Sequence, residues 1–134
     1  MQIENFSDLL QAARLQPLPQ RLLFVFANAE LPEDASPAQR AGFAAGEGGA
    51  LVPAMCVDKG PQELASFAAL SQEASQVGSA WTCVFAAALS GSTQTGVAQS
   101  SVDSAMQTMV EAIQRGDIGR YLVFDRQGDP ILLN

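Results

Sequence analysis

The segment Arg21-Leu-Leu-Phe-Val-Phe-Ala27 constrains this chain more than any other. After Arg21 every side chain in it is apolar, with no alternation between polar and apolar positions. Neighbouring side chains of a strand point to opposite faces, so a strand of this composition needs protein against both. That excludes a sheet with one wet face and implies a layered fold, with helices on each side of a central strand.

The flanking sequence supplies those layers. Asn5–Leu15 has Phe6, Leu9, Leu10 and Ala13 at helical spacing, and Pro17 and Pro19 end it. Leu31–Ala35 reads as a turn, after which Ser36, Pro37 and Gln39 form a capping-box start to a short helix. Ala50–Val57 predicts a second strand, with Pro53 favouring an edge or a bulge. Pro61 opens a helix reaching Gln76 and closed by Gly78, and Trp81–Leu89 is a third, central strand. After a polar loop, Ser100 or Ser101 caps a helix through Arg115, stopped by Gly116. Tyr121–Phe124 and Ile131–Leu133 around Asp125–Asp129 predict a β-hairpin. The expectation is one α/β (or α+β) domain over residues 1–134. It has a mixed sheet of four or five strands, three or four helices and a C-terminal hairpin.

Composition removes several function classes. Seven Lys and Arg stand against 14 Asp and Glu, a net charge of −7, and the basic residues are scattered singly. Nucleic acid and anionic membrane surfaces both call for clustered cations, so neither is an expected partner. No apolar run approaches the roughly 20 residues of a membrane span, and the N-terminus lacks the pattern of a secretion signal. The cytoplasm is the expected location. With no histidine, the usual Ser-His-Asp and Cys-His pairs are excluded. Cys56 and Cys83 are too few for a zinc centre, and both read as reduced, buried thiols. No metal and no cofactor is expected.

Three stretches carry candidate chemistry. Ser90-Gly-Ser-Thr-Gln-Thr-Gly96 follows a strand and precedes a helix, where open α/β sheets bind ligands. Its hydroxyls at Ser90, Ser92, Thr93 and Thr95 and its flexible Gly91 and Gly96 suit a phosphate or carboxylate. It has no Walker pattern and no nearby cation, so the plainer reading is a surface connection. Cys56, Asp58 and Lys59 end the second strand, and Lys59 is the sole lysine. A desolvated lysine or an activated thiol would be nucleophilic, but alternation puts Lys59 on the face away from Cys56 and Asp58. Gly46-Glu-Gly-Gly49 precedes a strand, the wrong order for a phosphate cradle, and reads as a helix stop. Glu30, Glu33 and Asp34 match no cation loop and read as a solvated turn.

Residues 21–32 (RLLFVFANAELP), 46–64 (GEGGALVPAMCVDKGPQEL) and 122–134 (LVFDRQGDPILLN) resemble a family of small proteobacterial proteins. Its members often carry the label ribonucleotide reductase subunit alpha. The label implies a thiyl-radical enzyme, but that chemistry needs three cysteines and a barrel several times longer. The two cysteines of this 134-residue chain do not meet it.

Two functions are expected from these residues. One is a non-catalytic interaction module, a homodimer or a binder of a protein partner, which the missing catalytic groups favour. The other is a small-ligand binder or enzyme using loop 90–96 with Cys56, Asp58 or Lys59. The second requires a pocket beside the loop.

Overall fold

The computed structural model describes residues 4–31, 34–44 and 50–131. In chain order they form α1 (Phe6–Arg14), β1 (Gln20–Glu30), α2 (Pro37–Ala44), β2 (Ala50–Lys59) and a 3-10 turn (Pro61–Glu63). Then come α3 (Phe67–Val77), β3 (Cys83–Ser90), α4 (Gln99–Arg115) and β4 (Leu122–Phe124). The strands make one open sheet in the order β2-β1-β3-β4. The fold is a mixed α/β architecture with helices on both faces of the sheet.

The apolar run occupies the centre of β1, and Leu22 to Ala27 are all fully buried. Its alternation divides the core. Leu22, Phe24 and Phe26 face Phe6, Leu9 and Leu10 of α1 and Leu70 of α3, with Trp81 and Phe124 beside them. Leu23, Val25 and Ala27 face Val102, Met109 and Ile113 of α4. Aromatic rings knit the first layer: Phe6 lies 5.7 Å from Phe24 and 5.3 Å from Phe124, and Phe26 meets Trp81 edge-on at 4.9 Å. Each such buried side chain is worth about 1.5–3 kcal/mol, so β1 anchors both layers.

All three strand pairings are antiparallel, so the sheet is not mixed as expected. β2 and β3 run parallel to one another, but β1 lies between them and α3 makes the crossover. The expected helix from Pro61 to Gln76 is divided. Glu63 accepts from the Gly60 N–H at 3.0 Å, which tightens the first turn into 3-10 geometry. Ser66 then adopts extended backbone and caps α3 by accepting from the Ala69 N–H at 3.1 Å. Leu64, between the two pieces, is buried.

The cap expected at Ser100 or Ser101 is not formed: α4 already starts at Gln99 behind Ala98, and no side chain caps it. Asn5 caps α1, and Ser36 and Gln39 form the reciprocal capping box of α2. β2 is an edge strand, with a bulge opposite Phe26 and Ala27 beside Pro53. At the C-terminal hairpin, Phe124 bridges Pro130 and the Ile131 N–H donates to the Val123 carbonyl at 2.9 Å. Leu132 and Leu133 lie outside the described residues, as do Gly46, Gly48, Gly49 and Glu33. No helix among the described residues is long and apolar enough to cross a membrane.

Candidate functional site

Strand register brings two of the sequence candidates to one end of the sheet. Leu22 pairs with Lys59 on one side of β1 and Gln20 pairs with Ser90 on the other. Asp58–Lys59 and loop 90–96 therefore flank the start of β1, about two strand spacings, roughly 10 Å, apart. Cys56 lies further along, opposite Val25.

Arg21 governs the β2 side of this end. Its Nε donates to Asp58 Oδ2 at 2.7 Å and its Nη1 to Glu63 Oε1 at 2.6 Å. A third, longer bond reaches the Asp58 carbonyl. The hydrogen bond to Asp58 holds the guanidinium pKa above its ordinary value, with Glu63 adding to the effect. The Gly60 N–H and then Arg21 hold the Glu63 carboxyl below its own. Arg14 closes the same corner, donating to the carbonyls of Pro61 (3.1 Å) and Leu64 (2.7 Å). Lys59 points to the opposite face, as alternation requires, and pairs with Glu73 of α3 at 3.0 Å. These charges are spent on one another. The cluster fastens the end of β2 to β1 and α3, with Lys59 paired to Glu73.

Loop 90–96 is likewise turned on itself. Ser90 Oγ accepts from Gln20 Nε2 at 2.7 Å, and the Gly91 N–H donates to the Pro19 carbonyl at 2.9 Å. Ser92 and Gly96 exchange both backbone bonds, and Ser92 Oγ bonds to the Thr95 hydroxyl at 2.6 Å and accepts the Thr95 N–H at 3.0 Å. Thr93 is exposed. Hydroxyls satisfied within the loop do not converge on a common point.

Cys56 is exposed, which corrects the expectation of a buried thiol; Cys83 is buried, and both are free. With β1 between their strands they are too far apart to bridge. Desolvation pushes both thiols up, so neither is predisposed to the reactive thiolate. Among the described residues no three His, Cys, Asp or Glu side chains gather closely enough to hold a metal ion.

A concavity lies elsewhere, on the α4 face. α4 rests against β1 and β2, which leaves this face of β3 partly open. The result is an open groove of about 460 Å3. Leu23, Ala87, Leu89, Ala105 and Met109 make its apolar surface, and Ser101, Ser104, Thr108 and Tyr121 bring hydroxyls to it. None of its lining side chains is charged, and no residue of loop 90–96 belongs to it. It begins at Leu89, directly before the loop, so the loop borders the groove without shaping it. The signal was present in the sequence as small residues: Ala87 on β3, and Ser101, Ser104, Ala105 and Thr108 at helical spacing on α4. Small side chains on facing elements leave space between them. That pattern passes for ordinary packing until the helix is known to sit over β2.

No family model, no curated protein and no solved structure matches this chain.

Proposed function

We propose that this protein is a non-catalytic interaction module that receives a short, extended, uncharged segment of a protein partner in the groove between α4 and β3. The carrying observation is the lining of the groove: apolar side chains with hydroxyls and no formal charge. A charged ligand group facing this lining would find no counter-ion there. The lining along α4 runs from Ser101 to Met109, about 12 Å at 1.5 Å per residue, which matches roughly four residues of extended chain. Small-molecule sites bury most of their ligand, whereas this groove is open along its solvent side. The groups able to do chemistry, Asp58, Lys59 and Glu63, are engaged in the corner around Arg21 and Glu73 and are not among those that line the groove. The reductase activity implied by the family label is not part of this reading.

The test is a titration of isotope-labelled protein with a capped tetrapeptide of Leu, Val and Ala, followed by amide NMR shifts. Shifts centred on Ala87, Leu89, Ser104 and Ala105, abolished by Ala105→Trp and by Ser104→Trp, are expected. Shifts centred on loop 90–96 or on the Arg21 corner would overturn the assignment, as would binding unaffected by both tryptophans. Native mass spectrometry of the protein from its own host decides between occupants: a retained small molecule would favour the ligand-binding alternative over a protein partner.

A further inference from the structure

We draw no further inference here: the strongest candidate, the open edge of β2 with exposed Val52 and Cys56, carries nothing because Pro53 and a bulge interrupt that edge and nothing in the structure shows what covers it.

Discussion

Gly91 and Gly96 sit at the two ends of one small loop, and the structure requires them for different reasons. A Cβ on Gly91 would stand 2.2 Å from the backbone C and O of Gly96 and 2.5 Å from the Val97 nitrogen. These are backbone atoms, so no rotamer change relieves the clash. Gly91→Ala must open the Ser92–Gly96 pair, which holds two hydrogen bonds of 3.1 and 2.9 Å. At about 0.5–1.5 kcal/mol net for each bond, the loss is roughly 1–3 kcal/mol. Gly96 has φ +70 with nothing within 4 Å of its Cβ position, so Gly96→Ala meets only the left-handed penalty of about 1–2 kcal/mol. The costs overlap for alanine and separate for asparagine. Asn tolerates the left-handed region, so Gly96→Asn recovers most of the loss. At Gly91 its larger side chain worsens the clash. Urea unfolding followed by Trp81 fluorescence, with circular dichroism as a second probe, gives the four values. The expected order of stability is Gly96→Asn above Gly96→Ala, and Gly91→Ala above Gly91→Asn. If asparagine were the milder substitution at Gly91, the close approach of the two backbone segments would be refuted.

Arg21→Met keeps the aliphatic stem but leaves Asp58 and Glu63 without their shared cation; a loss of about 1 kcal/mol is expected for a pair this accessible to solvent. Arg21→Lys should restore only part of it, because one ammonium cannot reproduce the guanidinium fork, and full rescue in the urea midpoint would contradict the geometry. The depressed Glu63 pKa makes its contribution complete above the unfolded value, about 4.3, and lost as pH falls through the lower folded one. The stability difference between wild type and Glu63→Gln should therefore shrink as pH drops from 6 to 3, and a constant difference would count against the Gly60 and Arg21 bonds. Cys56 should react with a thiol reagent in the native protein, slowly at pH 7 and faster towards pH 9, while Cys83 stays silent until denaturant is added. Native labelling of Cys83, or rapid labelling of Cys56 at neutral pH, would show that the thiol environments differ from those described.

Local rules carried much of this fold. Asn5, Ser36 with Gln39, Gly78 and Gly116 each bound a helix because their preferences act over three or four residues, independent of what the helix later touches. The doubly covered β1 was legible because every side chain from Leu22 to Ala27 had to be hidden. Errors arose where a distant partner decides. Asp58 and Lys59 were read at the end of a strand, with no partner visible nearby; Arg21, 37 residues from Asp58, makes Asp58 half of an ion pair. Pro61 suited a helix start, but Arg14 takes the carbonyls of Pro61 and Leu64 and holds the chain out of the helix that follows. The small residues of the groove were visible in the sequence, but not that they face one another across it. It exists because α4 lies over β1 and β2, and strand order has no local signature.

The place of β1 in the sheet also bears on synthesis. Val25 pairs with Cys56 on one side and with Phe85 on the other, 60 residues further along the chain. At roughly 5–20 residues per second, the second edge of β1 waits about 3–12 s on the ribosome for β3 to be made. Throughout that interval the most apolar strand of the protein has an unpaired edge and an uncovered α4 face. A nascent chain halted before β3 is consequently not a smaller version of the domain but a sticky hairpin. Its demand on chaperones should fall once Ser90 has left the exit tunnel and end only when Arg115, the last residue of α4, has followed.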